Sequence, residues 1–326
     1  MTPLYGHDDA VAAFRDGMGS GRLHHAWLVS GPEGVGKALF AHKAALRVLA
    51  EGQGPVGLPG LDVPDNNPAA HLVAAGSHPD LMRLERLPKD SGELARSISV
   101  DQVRGLQRLF GTTSSFSPWR VVVVDSIDDL ERAAANALLK NLEEPPPFSL
   151  FLLVSHASER LLPTIRSRCR LLRLKPLDDY AMTSALRSAL PEAEESEIEE
   201  LRSAGAGSPG RALAFRGLDI GGLDKAMRDL VRDGDPTNAA RSKLAQSLSL
   251  KSAQARYEAF LTRAPSMIAA AARERKGAAL AEALRLWERA QSLASSATHL
   301  SLEPQSVVFE LAGMLATLSP RSVRNG

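Results

Sequence analysis

Residues 31 to 38 read Gly-Pro-Glu-Gly-Val-Gly-Lys-Ala, a phosphate-binding loop complete through Lys37. Gly31, Gly34 and Gly36 let successive backbone N–H groups turn inward to cradle phosphate oxygens, a helix start adds partial positive charge, and Lys37 neutralises the outer phosphates. The pattern ends in Ala38, where a serine or threonine hydroxyl is expected to hold magnesium. A methyl group offers that ion no lone pair. A glycine-rich turn without function is the competing reading, and the flanks weigh against it. The apolar stretch Ala26-Trp27-Leu28-Val29-Ser30 precedes the loop and a helix-like run from Ala38 to Ala50 follows, the strand, loop and helix context the motif requires.

A second element of the same chemistry lies downstream. The β-branched run Val121-Val122-Val123-Val124 has the character of a parallel strand covered on both faces, and it delivers Asp125 to the strand's carboxyl end, at the edge where the phosphate loop belongs. In hydrolytic phosphate-loop enzymes such an aspartate orders the metal's water shell and a glutamate directly after it polarises the attacking water. Here the following residue is Ser126, which has neither the charge nor the pKa of a base. Asp128 and Asp129 are offset and are expected to face solvent at a helix start. Two catalytic elements are therefore missing from one site.

Bulk composition narrows the setting. The chain has 326 residues, 44% hydrophobic and 24% charged, and 39 basic against 38 acidic side chains leave a net charge of +1. These are globular values, and nothing global demands nucleic acid as a partner. Arg96, Arg104 and Arg108 could touch DNA or form an ordinary solvated face. No apolar run is long enough to span a bilayer and Met1 to Ser20 lacks the pattern of a secretory signal, so a soluble, cytoplasmic protein is expected. The single cysteine, Cys169, excludes an internal disulfide and a zinc site built on several cysteines, and no metal site is expected.

Periodicity predicts strands alternating with helices over the first half, hence an α/β, doubly wound parallel sheet. Glu51 to Asn67, rich in glycine and proline, is predicted to be a long exposed loop. Ser99-Val100-Asp101-Gln102 has the form of a capping box, opening a helix that ends near Gly111. From about Lys175 the pattern is helical only, and the acidic cluster between Glu192 and Glu200 is expected to be a solvated helix face.

One long stretch goes further. Ala134-Ala135-Asn136-Ala137-Leu138-Leu139-Lys140-Asn141-Leu142-Glu143-Glu144-Pro145-Pro146, followed by Arg160-Leu161-Leu162-Pro163-Thr164-Ile165-Arg166-Ser167-Arg168-Cys169, closely resembles the clamp-loader branch of the AAA+ ATPases. His25-Ala26, His78-Pro79-Asp80 and Val100-Asp101-Gln102-Val103-Arg104 agree with the member of that branch, in the bacterial DNA polymerase III assembly, whose phosphate loop is degenerate. The resemblance rests on specific motifs over roughly residues 1 to 215 and on helical character alone beyond them.

That resemblance implies an AAA+ P-loop core over 1–174, a small helical lid over 175–216 and an all-α collar over 217–326. It implies a place in a hetero-pentameric ring with gamma/tau ATPase and delta subunits, a ring that opens a sliding clamp and sets it on primer-template DNA during replication. In that ring this member is a non-hydrolysing stator. Ser167-Arg168-Cys169 matches the motif whose arginine is a finger, catalytic in trans at a neighbour's ATP, and a guanidinium suits phosphate oxygens whose charge builds in the transition state. An ordinary surface ion pair is the competing reading for Arg168. Ser155 and Arg211, within Gly207-Ser208-Pro209-Gly210-Arg211, stand where two sensor residues would be, or are a strand terminator and a helix-start residue.

Many members of the branch hold zinc with four cysteines between the phosphate-loop helix and the second strand. Residues 51 to 78 contain none, so the resemblance implies no zinc here, and the proline and glycine segment stands in that module's place. No cofactor is required; weak ATP or ADP binding is the residual expectation from the cradle Gly31 to Lys37. The alternatives are an active gamma/tau-like motor, which Ala38 and Ser126 argue against, and an unrelated phosphate-loop kinase, which the all-helical second half opposes.

Overall fold

The computed structural model describes residues 2–19, 23–90, 92–300 and 302–320. The first residue of the expected core and the last six of the expected collar thus lie outside the described residues. The chain falls into two compact units, Met1–Leu213 and Ala214–Gly326. The segment expected to form a lid, 175–216, lies almost wholly in the first unit.

In chain order the first unit comprises α1 (Asp8–Gly19), β1 (Ala26–Ser30), α2 (Lys37–Glu51), α3 (Pro68–Ala74), β2 (Leu81–Glu85), α4 (Val100–Arg104), α5 (Leu106–Gly111) and β3 (Arg120–Asp125). It continues with α6 (Arg132–Glu143), β4 (Ser149–Ser155), α7 (Pro163–Arg166), β5 (Arg170–Arg173), α8 (Asp179–Ala189), α9 (Glu195–Gly205) and α10 (Pro209–Ala214). The five strands form one sheet in the order β2-β3-β4-β1-β5, and every pairing is parallel. Side chains alternate across a strand, so each strand feeds two cores. Trp27, Val29, Val121, Val123, Leu150, Leu152 and Val154 pack on one face against Phe40, Ala44 and Leu49 of α2 and Phe14 of α1. Leu28, Val122, Val124, Phe151 and Leu153 pack on the other against Leu106 of α5 and Leu138 and Leu142 of α6. The valine run is buried on both faces for this reason, and the predicted doubly wound sheet is observed.

Register fixes what meets at each end of the sheet. Ser30 stands beside Ser155 and Asp125 beside Val154, so the phosphate loop, Asp125 and Ser155 share the carboxyl edge. At the other end Trp27 of β1 stands beside Arg170 of β5, which places Arg168 near the amino edge. The predicted capping box is present: Ser99 accepts from the Gln102 backbone N–H, and the Gln102 side chain accepts from the Ser99 N–H. Gly105 divides the predicted single helix into α4 and α5, and the second ends at Gly111 as anticipated.

The segment 51–67 is the loop predicted, without helix or strand beyond Glu51 and mostly exposed or half-buried, but it is anchored at points the sequence did not show. Leu61 and Val63 are buried and Arg47 of α2 is only 2% exposed. The Arg47 guanidinium donates from Nε to Glu51 Oε1 at 2.8 Å, from Nη1 to the carbonyls of Leu58 and Asp62 at 2.8 and 2.6 Å, and from Nη2 to the Val56 carbonyl at 3.2 Å. Lys43, also buried, holds the Asp62 carboxylate at 2.6 Å. A chain without repeating backbone hydrogen bonds must satisfy its carbonyls somehow, and here one planar five-donor side chain accepts that task.

The second unit is wholly helical: α11 (Ile220–Asp233), α12 (Ala239–Leu248), α13 (Gln254–Arg273), α14 (Gly277–Leu300) and α15 (Pro304–Thr317). Its core is built from Leu223, Met227, Phe260, Ile268, Val308, Leu311 and Leu315. Arg263 pairs with Asp224 and lies over the Phe215 ring, 5.4 Å from its centroid. Among the described residues no helix is long and apolar enough to cross a membrane.

Candidate functional site

The loop 31–36 has the backbone that its glycines predict. Gly31, Gly34 and Gly36 take φ of 147°, 74° and 109°, values that side chains with a Cβ rarely adopt. Space is as restrictive as conformation at Gly34, where a Cβ would lie 2.6 Å from the Arg211 backbone nitrogen. This closeness comes from the start of α10, whose Gly210 N–H donates to the Gly34 carbonyl at 2.8 Å. The start of α10 therefore rests directly on the phosphate loop.

Lys37 is the most consequential departure from a working phosphate cradle. Its ammonium donates to the carbonyls of Gly31 and Pro32 at 2.7 and 2.6 Å, and it is 3% exposed. The amine is thus spent on its own loop. Burial pulls its pKa from 10.5 to about 8, against Glu33, Asp128 and Asp125, which favour the charged form, while Arg211 nearby helps to lower it. Between about pH 8 and 10.5 the unfolded chain binds more protons here than the folded one, so folding gains stability as pH rises through that window and is indifferent below it. Urea unfolding of the wild type and of Lys37→Met should show a stability difference that moves in the wild type's favour from about pH 8 towards 10.5. A constant difference across that range would refute this placement of the amine.

Gly34, Gly36, Lys37, Ala38 and Asp125 line one largely apolar cavity of about 360 Å³, with His156, Thr2 to Tyr5 at the amino terminus and residues of α8 and α10; Gly31, Ser155 and Arg211 are not part of its lining. Ala38 turns an exposed methyl towards solvent and this space. Burial pushes the Asp125 carboxyl upward in pKa, opposed by His156 and Arg83. Ser155 is buried and its hydroxyl donates to Asp128 Oδ1 at 3.0 Å, while Asp128 Oδ2 accepts from the His156 N–H at 2.7 Å. Ser126 donates to Asp129 Oδ2 at 3.2 Å, and Asp129 also pairs with Arg86. Asp128 is exposed and Asp129 half-buried in the single turn Ile127–Asp129, at a helix start as expected, and beyond that expectation their hydrogen bonds close the turn after β3 onto the end of β4. Arg211 is half-buried, close enough to bear on Lys37.

For a magnesium nucleotide the residues present fit poorly. Ala38 supplies no ligand, Ser126 supplies no base, and the Lys37 ammonium is engaged by the carbonyls of Gly31 and Pro32. Sequence reasoning missed His7, whose Nε2 is 2.9 Å from the Val35 carbonyl, so that nitrogen carries the proton and steadies the loop from behind. Gly6-His7-Asp8 before the first helix was the available signal.

Arg168 does not line this cavity. It follows α7, with Nη1 donating to the Thr164 carbonyl at 2.8 Å and Nη2 paired with Glu143 Oε1 at 2.9 Å, on a side chain 34% exposed. Cys169 beside it packs against the second core, and burial pushes its thiol up to about 12, so it stays a protonated, apolar neighbour.

Comparison with known proteins adds to this geometry. The family described as "DNA polymerase III, delta subunit" matches residues 6–178, more than half of the chain, including the loop, Asp125 and Arg168. The DNA polymerase III subunit delta' of Pseudomonas aeruginosa is 38% identical over 197 residues, 60% of this chain and 57% of that protein. The subunit delta' of Escherichia coli is 35% identical over 60% of this chain and 55% of its own length. The subunit tau of Escherichia coli is 28% identical over 99% of this chain and 45% of that protein. The matches thus span about half the length of the curated relatives.

Proposed function

Because the chain belongs to the family of DNA polymerase III delta subunits, we propose that it is a delta-prime-type clamp-loader component, a stator that does not hydrolyse ATP and that serves a neighbour's active site. Its partners in this reading are gamma/tau ATPase subunits and a delta subunit in a hetero-pentameric ring, which loads a sliding clamp onto primed DNA in the cytoplasm. The first unit supplies the AAA+ body and lid, and the helical second unit supplies the collar through which the ring associates.

The observation that carries the non-hydrolysing half is the pairing of Ala38, exposed at the loop with no oxygen for magnesium, with Ser126, which holds no base and donates to Asp129. Nucleotide binding here requires the Lys37 ammonium to exchange the carbonyls of Gly31 and Pro32 for phosphate oxygens, and Ala38 offers the accompanying magnesium no ligand. Retention of ATP or ADP is therefore weak and independent of magnesium. Arg168 carries the other half, presenting permanently charged, planar donors on an exposed edge.

A motor subunit is the second reading, favoured by the similarity to tau along nearly the whole chain. Turnover by the purified chain separates the two. The wild type and Ala38→Ser should both stay at background, because the added hydroxyl restores neither the base missing at Ser126 nor the reach of Lys37. Steady ATP turnover by the wild type would overturn the stator reading.

A further inference from the structure

Glu143 and Arg168 are 25 residues apart in sequence and meet in the structure at 2.9 Å. Glu143 is the last residue of α6, where a carboxylate stands against the partial negative charge of the helix end and gains nothing for the helix. The turn that carries it is fixed on two sides. Leu142 is buried in the second core, and its carbonyl lies 3.1 Å from Nε2 of His25, just ahead of β1. The carboxylate thus sits on a rigid mount beside a long, flexible side chain.

The Arg168 guanidinium has five N–H groups. Nη1 donates to the Thr164 carbonyl at 2.8 Å, with Ser167 Oγ further off at 3.4 Å, and Nη2 forms an ion pair with Glu143 Oε1 at 2.9 Å. Nε makes no hydrogen bond among the described residues, on a side chain 34% exposed. A carbonyl acceptor and a carboxylate charge therefore hold one side of the fork while other donors stay available. We infer that Glu143 is the positioning residue that orients Arg168 before a neighbouring subunit's phosphate group arrives. The inference rests on the finger reading of Arg168 given above and adds to it the residue that sets the finger's geometry.

A preset guanidinium avoids part of the ordering cost when the transition state forms, and a partly exposed ion pair is weak enough to yield some of its hydrogen bonding to a phosphate. Glu143 acts only through Arg168, so its loss should appear in kcat and leave the KM for ATP unchanged.

The test is DNA- and clamp-stimulated ATP hydrolysis by the reconstituted complex carrying wild type, Glu143→Gln, Glu143→Asp, Arg168→Ala or the Glu143→Gln/Arg168→Ala pair. Glu143→Gln should lower kcat about fivefold, equivalent to about 1 kcal/mol, with KM unchanged. Glu143→Asp should recover part of that loss, and Glu143→Gln should add nothing in the Arg168→Ala background. A wild-type rate for Glu143→Gln beside a slow Arg168→Ala overturns the positioning role and leaves the finger standing. A Glu143→Gln defect that persists in the double variant also overturns it, because Glu143 then acts elsewhere. A wild-type rate for Arg168→Ala removes the finger reading itself.

Discussion

Replacing Arg168 by alanine should leave the assembled complex intact while slowing nucleotide hydrolysis at the adjoining motor subunit by at least about a hundredfold, a floor set below the roughly thousandfold or more that a finger arginine contributes in GTPases. Two magnitudes separate the structural effect from the functional one. The Arg168–Glu143 pair is 34% and 45% exposed on its two sides. Pairs of that kind are worth at most about 1 kcal/mol, and the Thr164 carbonyl can exchange its lost donor for water. A hundredfold rate loss corresponds to about 2.7 kcal/mol in the barrier. Stability and association should therefore be nearly unchanged in a variant whose partner's chemistry is badly impaired. Arg168→Lys should not rescue, since an ammonium is a point charge without the planar fork. The measurement is single-turnover hydrolysis in the reconstituted complex, with gel filtration to verify assembly. Wild-type kinetics in Arg168→Ala would end the assignment.

Arg47→Met should cost about 2–3 kcal/mol and loosen the segment 52–67, a large effect for one substitution outside the hydrophobic cores. The guanidinium is 2% exposed and four of its hydrogen bonds end on Glu51 and on the carbonyls of Val56, Leu58 and Asp62. Removing it strands those carbonyls and leaves Glu51 with Arg15 as its remaining partner, at 2.7 Å. Each buried polar group left unpaired costs about 1–3 kcal/mol. Methionine keeps the apolar stem, so the loss reports the donors rather than a cavity. Because the protein has two compact units, one global unfolding midpoint would blur the effect. Hydrogen exchange and limited proteolysis resolve it, and the variant should be cut within 52–60 at protease levels that spare the wild type. Equal resistance would show that Leu61 and Val63 alone hold the segment.

The parts that were legible in the sequence are those written in local pattern. The valine run before Asp125, the capping box at Ser99 and the glycine spacing from Gly31 to Gly36 each declare a strand, a helix start and a turn through residues within a few positions. What stayed hidden depends on long-range partners. The destination of the Lys37 amine depends on which carbonyls the loop leaves within reach. The engagement of Asp128 depends on where β4 ends, and the order of 51–67 depends on one arginine in the preceding helix whose spacing looks like that of any surface arginine. An arginine in an alanine- and leucine-rich helix followed by a run poor in regular structure but rich in carbonyls was the available hint.

The parallel pairing of β1 and β5 carries a geometric consequence. Arg170 is level with Trp27, and the phosphate loop departs beyond Ser30, level with Arg173. Arg168 lies in the turn before Arg170, and the three strand steps from Arg170 to Arg173, at about 3.3 Å each, already separate that end from the level of the loop by roughly 10 Å along the sheet. The two features are therefore like the plug and socket on opposite ends of one cord: the Arg168 guanidinium is held at the amino edge of the sheet by Thr164 and Glu143, and the phosphate loop opens at the carboxyl edge.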